Sequence, residues 1–279
     1  MDLSIIIVSW NSCDKLKKNL ASIMASEGLS YEVFVVDNAS EDDTVEMVQR
    51  DFPAVHLMVN TKNLGFSAAN NQAIRLSQGN FILLLNPDMI VDSRTLARAV
   101  GWLRAKPEAL VAGFKLINKD GEIIKHVRRF PALLDQLAIV FKVPHLFPRI
   151  LNRYIIEDFD YDSEAKVDSI RGSFFFIRRR AIEELGLLDE RFFVWFEEVD
   201  YCKRVYQAGG QVWYSPAVHA VDLIGQSFKL LPRKQAQKYF RDSQLKYFAK
   251  WMPAWQKQFL SLAWVFSPFI VWLGKNIKK

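Results

Sequence analysis

Between residues 3 and 85 the chain alternates short apolar runs with amphipathic stretches, separated by turns. The runs at 3–8, 32–36, 55–59 and 81–85 are rich in branched residues and too short for helices. Helical patterns fill the gaps at 14–25, 41–51 and 66–77, and Ser40 with Asp43 reads as a capping box opening the second. Strands that are apolar along their whole length, joined by helical crossovers, belong to a parallel sheet covered on both faces. The expectation is an α/β fold with a mostly parallel central sheet.

After about residue 105 the rhythm changes. Residues 116–125, LINKDGEIIK, read as a hairpin turning at Asp120-Gly121. An amphipathic stretch near 132–142 and an irregular acidic passage at 157–166 follow. SFFFIRR has the pattern of another strand, and 196–208 that of a helix ended by Gly209-Gly210. No Pro/Gly/Ser-rich linker separates the halves, and no internal repeat occurs. The predicted organisation is a nucleotide-sugar half at 1–105, an acceptor and catalytic half at 106–230 sharing the same sheet, and a helical aromatic extension at 231–279.

A net charge of +6 admits nucleic acid, an anionic membrane or a phosphorylated substrate. The densest basic run is only RRR at 178–180, so no nucleic-acid partner is expected. Cys13 and Cys202 form no metal or redox spacing, which suits a reducing compartment. The start, MDLSIIIVSWN, lacks the features of a signal peptide, so a cytoplasmic location is expected. Near the other end, FLSLAWVFSPFIVWLG is shorter than the roughly 20 residues a spanning helix needs, and Pro268 interrupts it. With Lys257, Lys275, Lys278 and Lys279 flanking it, this tail is predicted to lie on the cytoplasmic face of a membrane. The alternative is a helix packed on the domain or on a second copy in a homo-oligomer.

In open α/β sheets, ligands bind at the carboxyl ends of the strands. Here those ends carry Ser9-Trp10-Asn11, Asp37-Asn38, Asn63-Leu64-Gly65-Phe66 and Asn86-Pro87-Asp88. No G-x-G-x-x-G follows the first strand and no P-loop occurs, which argues against dinucleotide oxidoreductases and P-loop NTPases. Asp37 could accept the imide N–H of a uracil or thymine, and Asp88 could hold a divalent cation bridging a diphosphate. Glu197, Glu198 and Asp200 stand on the first turn of the helix after an aromatic run. Acids there favour the helix macrodipole, and Asp200 can pair with Arg204 at i,i+4. Against that structural reading, which the residues alone favour, aromatic surroundings would raise a glutamate's pKa toward what a general base requires. His219, just after QVWYS, could complete a metal site begun by Asp88.

Taken together, SIIIVSWN, VVDNASEDDT, NLGFSAANN, LLLNPD, GSFFFIRR, FFVWFEEVDYCKR and the later histidine stand in the order seen in family 2 glycosyltransferases with the GT-A fold. The chain resembles the rhamnosyltransferase-like branch, which builds bacterial surface polysaccharides, over about residues 3 to 227. The resemblance implies transfer of a sugar from a nucleotide-diphosphate donor to a hydroxyl of a glycan or lipid-linked acceptor, usually with inversion. By that analogy Ser9, Trp10, Asn11 and Asp37 surround the base and ribose. Asn63, Gly65, Phe66, Asn70 and Asn86 lie along the nucleotide–sugar path. Asp88 and His219 hold Mg²⁺ or Mn²⁺, and Glu198 is the base, with Glu197 and Asp200 beside it. Two positions depart from the pattern: Asn86 replaces the first acid of D-x-D, and Glu198 stands where aspartate is common. The competing readings are a nucleotidyltransferase acting on sugar phosphates and a non-catalytic sugar- or membrane-binding relative.

Overall fold

A computed structural model describes residues 1–223 and 232–276, with side chains through residue 267. Residues 224–227 at the end of the resemblance, the last residues of the 106–230 half and the flanking Lys278 and Lys279 lie outside the described residues. So does the side chain of Lys275.

In chain order, β1 (Leu3–Ser9), α1 (Cys13–Met24), β2 (Tyr31–Asp37), α2 (Thr44–Asp51), β3 (His56–Val59), α3 (Phe66–Leu76) and β4 (Phe81–Leu85) alternate as the apolar runs predict. Then come β5 (Met89–Ile90), α4 (Thr95–Ala105), β6 (Ala109–Ile117), α5 (Leu133–Val140), α6 (Asn152–Ile155), β7 (Ala165–Lys166) and β8 (Phe174–Arg178). The chain continues through α7 (Arg179–Leu185), α8 (Glu197–Gln207), β9 (Gln211–Asp222), α9 (Arg233–Trp251) and α10 (Ala254–Asn276).

One sheet joins these strands in the order β3-β2-β1-β4-β8-β6-β9-β5, with β7 on β9. The ladders β3–β2–β1–β4 are parallel, β8 inserts antiparallel between β4 and β6, and β6 and β9 again run parallel to each other. Most strands therefore share one direction, while β8, β5 and β7 oppose it. Side chains alternate across a strand, so β1 and β4 feed two cores. Ile5, Ile7, Leu83 and Leu85 pack with α1, α2 and α4, whereas Ile6, Ile82 and Leu84 pack with α3, α7 and α8. A third, aromatic core joins α5, α9 and α10 to Phe192 and Phe196.

Three local expectations need correction. Ser40 does not cap α2. Its hydroxyl donates to Asp37 Oδ1 at 2.5 Å, and the helix begins later, where Asp42 accepts from the Thr44 N–H at 3.2 Å. The 116–125 hairpin shrinks to the single bridge Ile117–Ile123, with Gly121 at φ +82° in its turn. Helix α10 runs on through Pro268 rather than stopping there. Among the described residues no helix is long and apolar enough to cross a membrane.

The arginine run also acquires a structural role. Arg178 donates to the Leu103, Lys106 and Ala109 carbonyls, and Arg179 to the Gly79 carbonyl and Ser77 Oγ. These guanidinium groups tie β8 and α7 to the turns that follow α3 and α4.

Candidate active site

The parallel strands deliver their following loops to one edge, and a cavity of about 250 Å³ opens there. Val8, Trp10, Asn38, Asn63, Gly65 and Phe66 line one part of it, and Asn86 and Pro87 another. Phe193, Val194, Gln235 and Tyr239 complete it from the second half of the chain. The ring of Phe193 stacks on Tyr239 at 4.4 Å, so α9 closes the cavity against the aromatic loop.

Amide side chains set the shape of its floor. Asn38 Nδ2 donates to Asn63 Oδ1 at 3.1 Å and to the Gly65 carbonyl at 3.2 Å, while its Oδ1 accepts from Asn60 and from the Leu64 N–H. Gly65 has φ +83°, and a Cβ there would stand 2.5 Å from the Phe193 carbonyl oxygen and 2.7 Å from its ring. The Phe66 N–H donates to that same carbonyl at 2.6 Å. Only glycine satisfies both the left-handed backbone and this close approach. Gly65→Ala is therefore expected to destabilise the fold by about 1–3 kcal/mol and to weaken donor binding. A thermal melt and a donor titration would check this; unchanged values in both would contradict it.

The Asn86-Pro87-Asp88 turn is pinned from beneath by α1, where Asn19 Nδ2 donates to the Met89 carbonyl at 2.6 Å. Beyond it, Met89 pairs with Asp222 across β5 and β9, and the Leu223 N–H donates to the Asp88 carbonyl at 3.0 Å. Two buried acids thus come near one another, Asp88 at 4% exposure and Asp222 at 2%, close enough for the charge of one to act on the other. Burial, and then the charge of Asp222, push the Asp88 carboxyl above its usual range. Arg171 compensates in part, with its guanidinium 3.1 Å from Asp222 Oδ2.

Arg171 also begins a short bridge to the acids of α8. The Ser173 carbonyl accepts the Asn86 N–H at 3.0 Å. Gly172 faces the Glu198 side chain, and a Cβ there would lie 3.5 Å from that of Glu198. Arg171 itself lines a cavity of about 170 Å³ together with Glu198, His126, Arg128 and Tyr154. The segment 171–173 thus touches the lining of the first cavity, the carboxylate pair and Glu198.

The three acids of α8 have different surroundings. Glu197 is buried, and burial with the neighbouring Glu198 charge raises its carboxyl well above the ordinary value. Glu198 is raised chiefly by burial, and the Arg171 charge pulls in the opposite direction. Among the described residues, neither Glu197 Oε2 nor Glu198 Oε2 has a hydrogen-bond partner. Asp200, at 0% exposure, is fully engaged: Lys250 Nζ lies 2.7 Å from Oδ1, Trp251 Nε1 donates to Oδ1 at 2.8 Å, and Arg204 Nε donates to Oδ2 at 3.2 Å. It ties α8 to α9, so its place beside the base in sequence does not carry over into a free acid in the cleft.

Other predicted residues also sit differently. His219 does not join Asp88. It lies on the strand face opposite that of Asp222, half exposed, with Nε2 3.6 Å from Asp92 Oδ2 in a shallow cavity that includes Arg94 and Arg98. The two-residue alternation of β9 dictates this, since an odd offset of three reverses the face. Asp37 is buried and accepts from the Ser40 N–H at 3.0 Å and from its hydroxyl. Ser9 shares a 2.7 Å bond with Ser12, and Asn11, at φ +47°, accepts the Glu41 N–H at 2.7 Å. Asn70 donates one turn back to the Phe66 carbonyl at 2.8 Å. These four build the walls that hold Trp10, Asn38, Asn63, Gly65, Phe66 and Asn86 at the cavity. Asp222, Arg171 and Asn38 were not singled out from sequence. For Asn38 the signal was present, as the second residue of the polar pair ending β2.

The model of the family described as Glycosyl transferase family 2 matches residues 4–186. The chain is a family 2 glycosyltransferase. This glycosyltransferase is 26% identical over 235 residues to the N-acetylglucosaminyl-diphospho-decaprenol L-rhamnosyltransferase of Mycobacterium tuberculosis, covering 80% of this chain and 75% of that one. It is 26% identical over 226 residues to rhamnosyltransferase WbbL of Escherichia coli, covering 78% and 81%. Among solved structures, the mannosyltransferase PcManGT of Pyrobaculum calidifontis, in complex with GDP-Man and Mn2+, shares the fold with a TM-score of 0.59 at 19% identity, over 98% of this chain and 75% of that one. S. aureus TarS 1–349 in complex with UDP-GlcNAc does so with a TM-score of 0.58 at 15% identity, over 96% and 73%.

Proposed function

We propose that this glycosyltransferase moves a deoxyhexose such as rhamnose from a nucleotide-diphosphate donor to a hydroxyl of a glycan or lipid-linked acceptor, with inversion at the anomeric carbon. The observation that carries this reading is the segment Arg171–Ser173, which links the cavity at the strand ends, the Asp88–Asp222 pair and Glu198. The naming of two relatives as rhamnosyltransferases supports the sugar class.

Two buried carboxylates that act on each other electrostatically would suit a hard divalent cation, Mg²⁺ or Mn²⁺. Asp88 and Asp222 are the residues that would hold it; among the described residues no group of three His, Cys, Asp or Glu that could hold a metal occurs. When bound, such a cation supplies positive charge where the leaving diphosphate gains negative charge. Trp10 and Phe66 bound the nucleotide, and the Asn38–Asn63 amides hold the loop that shapes its pocket. Glu198 takes the proton of the acceptor hydroxyl as that oxygen attacks the anomeric carbon. The new C–O bond forms while the bond to the diphosphate breaks, and the proton stays on Glu198. One base and no covalent nucleophile in this scheme give a single displacement, hence inversion.

Titration calorimetry with a panel of nucleotide sugars, with and without Mn²⁺, tests this. Asp88→Ala and Asp222→Ala are expected to lose the Mn²⁺-dependent part of donor binding, and His219→Ala to keep it. Loss in His219→Ala with retention in Asp222→Ala would overturn the cation assignment.

A further inference from the structure

Helix α10 is apolar on more than one face, and the fold covers only part of it. Leu260 and Ala263 pack into the aromatic core, and Trp264 Nε1 donates to Gln244 of α9 at 2.7 Å. On the outer side Trp255, Phe259, Leu262, Val265 and Phe266 are between 55% and 70% exposed. Residues 255, 259, 262 and 266 follow the i, i+4, i+7, i+11 spacing of a single helical stripe. A helix apolar on opposite sides needs a second covering.

A second exposed apolar element stands nearby. Leu146, Phe147 and Ile150, in the short turns between α5 and α6, are 58%, 64% and 47% exposed. Leu134 on α5 is 79% exposed. Helix α5 contacts both α10 and these turns, so the two elements share one neighbour. Exposed apolar side chains gathered on elements that share a neighbour mark a candidate interaction surface.

Charge selects the partner. No acidic residue occurs from 141 to 156, a stretch that carries Lys142, Arg149 and Arg153. No acidic residue follows Asp242, and Lys257 lies within the exposed stretch of α10. Exposed apolar side chains interspersed with cations along these stretches match the boundary of an anionic bilayer, where acyl chains and negative headgroups meet. Tyr154 of α6, four residues beyond Ile150, lines the cavity of Glu198. We infer that the 146–150 turns and the outer stripe of α10 together form one docking face for an anionic membrane, holding the Glu198 cavity close to the bilayer. The face thereby favours an acceptor sugar anchored by a lipid, a conclusion that rests on the glycosyl-transfer reading above.

The test is flotation of the full chain with phosphatidylglycerol/phosphatidylcholine vesicles and with pure phosphatidylcholine vesicles. The chain is expected to float with the anionic vesicles and to bind the neutral ones more weakly. Phe147→Ser with Ile150→Ser, and separately Leu262→Ser with Val265→Ser, are each expected to weaken vesicle binding by about tenfold or more. Lys142→Glu with Arg149→Glu, which leaves the apolar surface intact, is expected to weaken it by at least about fivefold per charge and only on anionic vesicles. Donor titration with Mn²⁺ is expected to be unchanged in all three, so loss of docking and failure of the donor reading are distinguishable. Vesicle binding unaffected by both apolar pairs would overturn the proposal. So would a lipid-independent dimer in size-exclusion chromatography that the same substitutions dissolve.

Discussion

Glu198→Gln is expected to lower kcat by about 10²- to 10⁴-fold while leaving donor affinity close to that of the unaltered chain. The amide keeps the size of the side chain and its packing near Gly172 but cannot take a proton. The pH dependence gives a second readout. Burial raises the Glu198 carboxyl, so its ionised, proton-accepting form appears only above the ordinary glutamate range, and kcat should rise with pH through that raised value. The Arg171 charge acts in the opposite direction. Arg171→Ala should therefore move the acid limb of the profile further toward higher pH. Near-normal turnover in Glu198→Gln, with loss in Glu197→Gln, would transfer the role to the neighbouring acid.

Asp200→Ala is expected to act on stability instead. It leaves Lys250, Arg204 and the Trp251 N–H facing a site without its anion. Breaking a buried pair by removing one partner costs about 3–5 kcal/mol. The melting temperature should fall by roughly 10 °C, given a shift of about 2–4 °C per kcal/mol in a chain of this size. Turnover per folded molecule should change little. Because α9 contributes Gln235 and Tyr239 to the donor cavity, loosening this tie should also raise the donor KM before it affects kcat. A full loss of kcat at an unchanged melting temperature would make Asp200 a participant in the chemistry rather than an anchor.

The contrast between these two acids shows how far sequence could reach. Strands β1, β2 and β4 were legible because a strand buried on both faces is a continuous apolar run. The cavity edge was legible because parallel strands all deliver their carboxyl ends to it. What could not be read was which side chains at that edge face the ligand and which brace a wall. Asp37 and Ser40 meet through a local turn, and Ser9 meets Ser12, arrangements that turn residues adopt as readily as a binding role. His219 looked like the natural companion of Asp88, but its companion is set by strand register. Met89 pairs with Asp222, and no local pattern announces a two-residue ladder between β5 and β9. Arg171 was hidden for the same reason, since it precedes a strand and pairs with an acid 51 positions away. The separation of Glu198 from Asp200 needed α9, whose Lys250 and Trp251 are distant in sequence and claim only one of the two acids.

The most direct measurement is phosphorus NMR of the products formed when the full chain, with Mn²⁺, is given a nucleotide-diphosphate sugar and a saccharide acceptor. The account predicts release of the nucleoside diphosphate as the sugar is transferred, with the rate falling sharply in Glu198→Gln. Release of pyrophosphate instead would mean that the bond broken lies within the phosphate chain, and would contradict sugar transfer at this cleft.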